Sequence, residues 1–498
     1  MTSKPKRRIT QPRRIKNPER TRNFDAAKHS RHTADWVTGE GTADKHLRQD
    51  IATLRERGRD LERNDGYAEA FLSEMESNVV GDKGFGFKPL ARKADGRANG
   101  GVLGRIDTSA CEKIAAAYDD FSKRGNFDVT RQHSRPQFAR LCIRSMIRDG
   151  GTLVRYVDGF PNNEYRFAVQ GLEMEVLDPR YSDAEKNIHM SIQFDEWGAP
   201  VGYYLQIPDP RSFGLGFKSR EKERVDADNI RHLFYSRRFS QSHGYSGFAP
   251  IMTPLRHLSK YEEAEVIAAR ASANKIGFFE TTEAEGYTGD EDGSGNIKAP
   301  SGPGEWEQLP MGVKPHLIDP SHPNANYPDF RKAMLRKACA GLVANYNVIG
   351  RDLEGVSFSS IRQGVLSERD AYRILHAFMI QEHELPTFER WLRMALLAGK
   401  IDGLDIRDYD RLKHVEFSGR TWPWVDPVKD IQAAREEIDL GINSRQSISR
   451  EKGRDFAKMV AQNEEDVAML EAAGLNSAAS NKAPAPVPVP PVPSDVDE

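Results

Sequence analysis

Three short stretches of this chain carry residue types at spacings that chemistry could use. "GLGFKS" (214–219) sets glycines ahead of Lys218 and Ser219, the ingredients of a loop whose backbone N–H groups cradle phosphate. Phe217 stands where the second glycine belongs, directly before the lysine, so the stretch reads as an ordinary loop. "HGYSG" (243–247) resembles the sharp turn that exposes a nucleophilic serine, yet Phe248 occupies the position of the closing glycine. "DEDGSGNIKAPS" (290–301) puts Asp290, Asp292, Ser294, Gly295 and Ile297 in the slots of a calcium loop. Ser301 replaces the bidentate glutamate, and Lys298 sets a positive charge beside the ion, which leaves an acidic loop tip. The thirteen histidines show no His-Glu-x-x-His spacing. These residues predict a protein that is not an enzyme, with no catalytic residue, no cofactor and no metal.

Composition says what body such residues would sit on. At 498 residues the chain is long enough for about three domains and a substantial core. Hydrophobic residues make up 38% and charged residues 29%, polar for this size, which predicts a large solvated or ring-forming surface. No run approaches the roughly 18 apolar residues of a membrane helix, so no membrane partner is expected. The basic N-terminus lacks the apolar stretch of a secretory signal. Cys111, Cys142 and Cys339 are far apart and odd in number, which predicts buried thiols in a reducing cytoplasm. The net charge of −2 hides an asymmetry. "KPKRRITQPRRIKNPERTR" predicts a disordered basic arm over 1–40, either merely solvated or touching nucleic acid or an acidic partner. "APAPVPVPPVPSDVDE" predicts a polyproline-like tail over 477–498.

Between these ends the periodicity changes twice. Leu54, Leu61, Tyr67, Phe71 and Met75 mark helical sequence over 43–80, with a turn at Asn64-Asp65-Gly66 and a cap at Gly81. Two more helices are expected over 108–149, interrupted near Gly125. "GTLVRYV", "LEMEVL" and "HMSIQF" then alternate as strands do, "DEWGAP" turns the last of them into "VGYYLQI", and "IRHLFYS" adds another. A helix of some 20 residues follows over 252–275, thinly apolar (Leu255, Leu258, Tyr261, Val266, Ile267). "IGFFETT", an acidic loop over 283–304 and "WEQLPMGVKPHLI" form an α/β insertion before a second helix over 328–345. A long helix from Ser360 to about Leu397 must break or kink at Pro386. Short helices capped at Gly441, Gly453 and Gly474 complete an α+β chain.

The linear order of several segments carries a resemblance. "RGRDLERNDGYAEAFLSEMESNVVG", "LDPRY" with "IQFDEWGAPVGYY", "IRHLF" leading into "GFAPIMTPLRHLSKYEEAEVIAAR", "LPMGVKP", "LRKACAGLVANYNVIGRDLEGVSFSSIRQG" and "WPWVDPVKDIQAAREEIDLGINS" together resemble the lambda family of bacteriophage portal proteins over about residues 40–475. "HGYSG" replaces the more basic loop usual before the first long helix. The resemblance implies a ring-forming portal fold with wing, stem, clip and crown regions. It assigns 41–251 to the wing, 252–275 to the first stem helix with stem charges Lys260, Arg270 and Lys275, and 276–327 to the clip. Residues 328–346 become the second stem helix, 347–359 the tunnel loop, 360–421 the kinked wing helix, and 422–476 the helices near the crown.

The implied function is a conduit for double-stranded DNA at the capsid vertex during packaging and ejection, built from a dodecameric ring. The implied partners are the terminase large subunit, major capsid and scaffold proteins, and a head-completion or adaptor protein. The implied places are the virion and, during assembly, the host cytoplasm. Glu283, Glu285, Asp290, Glu291 and Asp292 would dock terminase at the clip. Asn347, Arg351, Asp352, Glu354, Gly355, Ser357 and Ser359 would line the tunnel. A polar segment with Arg351 balanced by Asp352 and Glu354 suits a duplex that must be touched but never held, since each neutralised phosphate adds affinity. A phage DNA-processing nuclease and a tail or baseplate structural protein remain the alternatives.

Overall fold

The computed structural model describes residues 41–93, 105–208, 217–273, 277–281, 313–317, 326–342, 344–352, 354–422, 427–451 and 456–472. Helix α1 (Ala43–Asn64) starts at Thr42, whose hydroxyl accepts from Lys45 N, and stops at Asp65. The extended backbone of Asp65 ends one helix while its carboxylate caps the next, α2 (Gly66–Met75), accepting from Tyr67 and Ala68 N–H at 2.9 Å. A five-residue π turn (Glu76–Val80) then closes at Gly81, φ 73°. Strand β1 (Gly86–Pro89) leads to α3 (Thr108–Phe121) and α4 (Arg135–Asp149), the latter opened by a Ser134–Gln137 capping box.

Two small sheets follow. β2 (Thr152–Asp158) lies between β3 (Phe167–Leu172) and β8 (Ile230–Leu233), and the antiparallel order β4-β5-β6-β7 uses Ile188–His189, Ile192–Phe194, Pro200–Pro208 and Phe217–Asp226. Here the structure departs from the alternation in the sequence. "LEMEVL" is not a strand: Leu172 ends β3, and Met174–Val176 is a 3-10 turn whose two apolar residues drop into the small core with Leu205 and Ile230. "HMSIQF" is two strands, because Met190 (φ 51°) and Ser191 (φ 70°) turn the chain between them. β7 escaped the pattern altogether; "FKSREKERVD" pairs with β6 through its backbone, and its Val225 joins the small core. The "GLGFKS" stretch thus runs into a strand from Phe217 onward; residues 209–216 lie outside the described residues.

Helix α5 (Met252–Ala273) is followed by strands β9 (Gly277–Thr281) and β10 (Val313–Leu317), paired antiparallel, and by α6 (Tyr327–Leu342). A single turn α7 (Tyr346–Ile349) precedes α8 (Phe358–Met379). Another π turn (Ile380–Glu384) joins α8 to α9 (Leu385–Leu397) on helical backbone, Glu384 itself at φ −68° and ψ −49°, so the missing N–H of Pro386 falls where the helix widens and the chain does not break there. Helix α10 (Tyr409–Leu412), strand β11 (Val415–Ser418) and helices α11 (Pro427–Asp439), α12 (Arg445–Glu451) and α13 (Phe456–Ala472) end the described chain.

The main core is aromatic. Trp391 and Phe388 of α9 meet Tyr118 and Phe121 of α3, with Tyr118 and Trp391 rings 4.8 Å apart. β1 pairs with β11, setting Phe87 opposite Phe417 and 5.2 Å from Phe388. Each fully buried ring of this kind contributes on the order of 3 kcal/mol.

An arginine–carboxylate web staples α1, α2 and α4. Arg144 binds Glu62 at 2.6 Å and Glu76 at 2.8 Å and also reaches Glu69; Arg148 holds Glu62 and Asp149, and Arg59 holds Asp149 at 3.0 Å. Burial by itself would raise the Asp149 pKa, but the guanidinium hydrogen bonds of Arg148 and Arg59 outweigh it and hold the group below its ordinary value. Glu62 is depressed in the same way. A depressed folded pKa contributes stability above the unfolded value and loses it as pH falls through the folded one. Stability should therefore decline on acidification below about pH 4, the ordinary carboxylate range. Asp149→Asn should be less stable at pH 7 and show a shallower acid decline, read by circular dichroism from pH 7 to 2. A decline unchanged in the variant would remove Asp149 from this role.

Candidate functional site

The segment joining α6 to α8 is more firmly built than a polar linker needs to be. Asn345 opens α7, its side chain accepting from Asn347 N–H at 2.9 Å, while its own backbone N–H donates to the Glu368 carboxylate of α8. Glu368 is buried, and burial raises its pKa. One turn earlier on α8, Gly364 lets Asn345 approach: a Cβ there would lie 2.4 Å from Asn345 Nδ2. Ile349 is buried beneath the turn.

Beyond α7 the chain turns at Arg351 (φ 49°) and Gly355 (φ 68°). Asp352 ties the turn down. It accepts from the Tyr346 hydroxyl at 2.7 Å and from Glu354 N–H at 3.1 Å, and it pairs with Lys332 of α6 at 3.3 Å. The Tyr346 hydrogen bond is the main reason that the Asp352 pKa lies below its ordinary value. Burial, with Asp352 beside it, pushes Tyr346 up to about 12. Ser357 caps α8 by accepting from Ser360 N–H, and its hydroxyl lies within 3.1 Å of Ser359 and 2.9 Å of Ser360.

This geometry revises the charge balance read from the sequence. Asp352 does not offset Arg351; its carboxylate is spent on Tyr346, Lys332 and the turn itself. Arg351 is exposed and in no ion pair among the described residues, and Glu354 is the exposed acid near it in sequence. The segment is also shorter than 347–359: Asn347 belongs to α7 and Ser359 to α8, which leaves 350–357 between helices. Lys332, Tyr346, Gly364 and Glu368, which shape it, were not candidates from sequence; their roles depend on approach between helices.

The helices on either side lean on each other. Tyr261 of α5 meets Phe330 of α6 edge to face at 4.9 Å, and Tyr327 donates to Glu262 at 3.3 Å. Met252, Leu255 and Leu258 anchor the start of α5 in the core, whereas Val266 and Ile267 in its far half are 52% and 58% exposed. Lys260 pairs with Glu263 at 2.6 Å and Arg270 is exposed; Lys275 lies outside the described residues. So do Glu283, Glu285, Asp290, Glu291 and Asp292.

"HGYSG" has a packing role. Ser246 is buried, donates to Ile147 C=O at 3.4 Å and accepts from Phe248 N–H, with no histidine partner among the described residues. His243 is buried beside Ser242, and burial, helped by the Arg55 charge, lowers its pKa to about 3. Among the described residues no three His, Cys, Asp or Glu side chains are grouped to hold a metal ion, and no helix is long and apolar enough to cross a membrane.

Comparison with known proteins adds what geometry alone does not. A probable portal protein of Halomonas phage phiHAP-1 is 34% identical over 470 residues, covering 92% of this chain and 89% of the relative. Portal protein B of Escherichia phage lambda is 20% identical over 476 residues, 88% of each chain. Among solved structures, a chain from the neck of a native GTA particle computed with C12 symmetry aligns with TM-score 0.45 and 12% identity, over 82% of this chain and 94% of its own length. The family model described as phage portal protein, lambda family, matches residues 29–376, ending in the last turn of α8. With that match over most of its length, the chain belongs to the lambda family of phage portal proteins.

Proposed function

We propose that this chain, a portal protein of the capsid vertex, assembles into a dodecameric ring through which double-stranded DNA enters and leaves the virion. The observation that carries the ring is α5. Its start is anchored in its own body by Met252, Leu255 and Leu258, and its second half presents Val266 and Ile267 to solvent along a helix roughly 30 Å long. A second copy is the natural cover for such a stripe, and a repeated heterologous contact closes into a ring. On this reading α5 and α6 are the stem and β9 with β10 the base of the clip. The β-rich module with α8 and α9 is the wing, and α11 to α13 lie toward the crown. Residues 347–359 would face the duplex, with Arg351 and Glu354 as the exposed charges and Asp352 as the brace. The protein would be structural, not enzymatic. It would meet the terminase large subunit at the clip, major capsid and scaffold proteins at the wing, and an adaptor protein after packaging. Assembly would take place in the host cytoplasm.

The test is negative-stain imaging and native mass spectrometry of the purified protein, alone and as Val266→Asp/Ile267→Asp. Rings of about twelve copies with a central channel are expected for the wild type and monomers for the variant; wild-type monomers at every concentration and salt would sink the reading. A second arm uses Glu354→Lys, which leaves the Asp352 brace intact. Rings should persist, and in vitro packaging should slow at low salt and recover as salt screens the added cations. An unchanged rate would move the duplex-facing segment elsewhere while leaving the ring in place.

A further inference from the structure

Beyond β8, six consecutive residues, Tyr235 to Ser240, are all exposed: "YSRRFS". Tyr235 is 51% exposed and Phe239 fully exposed, one on each side of Arg237 and Arg238. An apolar ring held entirely in water costs free energy that a solvated loop would avoid by folding the ring inward. This loop is prevented from doing so. Gln241 is buried beneath it, accepting from Arg237 N–H at 2.9 Å and donating to His243 C=O at 2.7 Å, while its own N–H donates to Arg238 C=O at 3.1 Å. The loop is also fastened to the start of α1: Ala43 N–H donates to Ser240 Oγ, Ser242 N–H to Asp44 at 3.0 Å, and Arg238 to Gly41 C=O at 3.3 Å.

The charge around it is one-sided. A cleft of about 730 Å3 opens beside the loop, between the first turns of α1 and the β4–β5 turn, lined by Ser240, Arg48, Arg180, His189 and Phe194. Arg48 donates to Arg180 C=O and Arg237 to the Tyr245 hydroxyl; neither these two arginines nor Arg180 and Arg238 are in an ion pair among the described residues. The acid on the cleft, Asp44, keeps its charge while accepting from the Ser242 N–H, and stands against Lys45, Arg48 and Arg180. At Gly41 the chain continues toward the N-terminus into the basic sequence of residues 1–40.

We propose that the loop Tyr235–Ser240 and the adjoining arginine cleft bind single-stranded nucleic acid, bases stacking on Phe239 and Tyr235 and phosphates meeting Arg237, Arg238, Arg48 and Arg180. Exposed aromatics interleaved with arginines that are in no ion pair among the described residues, Arg237 lying over the Tyr245 ring at 4.8 Å, form a stacking platform in an electrostatic groove. A duplex keeps its bases stacked on one another and offers the rings nothing, so the platform favours a strand with free bases. An acidic peptide would satisfy the arginines and leave Phe239 without a purpose. The braced loop lowers the ordering cost of binding. The site is distinct in sequence from residues 347–359, and its test is independent of theirs.

Fluorescence anisotropy of the full-length protein with a labelled 20-mer of oligothymidylate, a 20-base-pair duplex and oligoglutamate tests this. Oligothymidylate should bind, and Phe239→Ala should weaken it by about 5-fold to 150-fold while leaving duplex affinity unchanged. Arg237→Gln/Arg238→Gln should weaken both nucleic acids and reduce the single-strand salt slope by about 1.4. Oligothymidylate affinity unaltered in either variant overturns the proposal. So does oligoglutamate binding as tightly and failing in the same variants, which assigns the loop to an acidic protein. Loss of assembled protein in native mass spectrometry of Phe239→Ala overturns it in favour of a contact between copies.

Discussion

Gly244→Ala is expected to destabilise the body by about 3 kcal/mol or more, a mutation of one methyl group. A Cβ on Gly244 would stand 1.8 Å from the carbonyl oxygen of Gly150 and 2.8 Å from Phe234 Cβ. The obstacle on one side is backbone, the left-handed C-cap of α4, which no rotamer change can move. The contact is mutual: a Cβ on Gly150, at φ 89°, would lie 2.5 Å from the Tyr245 backbone. Two glycines thus let the end of α4 and the irregular chain after β8 touch main chain to main chain. Gly66→Ala is the control, since nothing lies within 4 Å of the added methyl and the site is helical. Thermal melts should show a fall on the order of 10 °C for Gly244→Ala and little change or a slight gain for Gly66→Ala. Equal melting of Gly244→Ala and wild type would mean that α4 can retreat and that the contact is not a constraint.

Single truncations of the Arg135–Glu384 pair should cost about 3–5 kcal/mol each, whereas replacing both with apolar residues should restore most of the loss. The two side chains meet at 2.6 Å with Arg135 8% and Glu384 1% exposed. Arg135 also donates to Phe85 C=O at 2.8 Å and lies over the Tyr118 ring at 5.3 Å. Removing either partner strands a charge in an aromatic core; removing both removes the desolvation cost as well. Urea unfolding of Arg135→Ala, Glu384→Ala and Arg135→Met/Glu384→Leu, followed by tryptophan fluorescence, measures the three. A double variant as unstable as the sum of the singles would show that the pair acts through shape and not through charge. Glu384 closes the π turn between α8 and α9, so the pair also fixes where that long element changes direction.

Helices were the legible part of this chain because their signals are local. The Asp65 break and the Gly81 stop depend on residues within one turn of each other. Strands were legible where apolar and polar residues alternate, as in β2 and β6, and were lost where a charged run hides them, as in the "REKER" of β7. β1 and β11 are four residues each, too short for a period to show. At the segment between α6 and α8, composition revealed a polar connection but not what braces it. The sequence sets Asp352 and Glu354 together against Arg351, yet Asp352 turns toward Tyr346 and Lys332. In the "HGYSG" stretch the sequence shows that the nucleophile pattern is incomplete but not what the residues do instead: the glycine and serine answer to crowding by Gly150 and Ile147, a demand invisible until α4 is beside it.

The pairing of Gly86–Pro89 with Val415–Ser418 has a consequence in time. A ribosome adding about 5–20 residues per second needs roughly 15 to 65 seconds to travel from the first of these strands to the second. Throughout that interval the nascent chain carries an unfinished edge, with Phe87 and Tyr118 awaiting Phe388, Trp391 and Phe417 from the last part of the body to emerge. Such an edge invites the wrong partner, above all another nascent copy on the same message. Its four residues, "GFKP", are brief, charged at Lys88 and closed by a proline that cannot donate to a ladder. The first strand is dressed to wait.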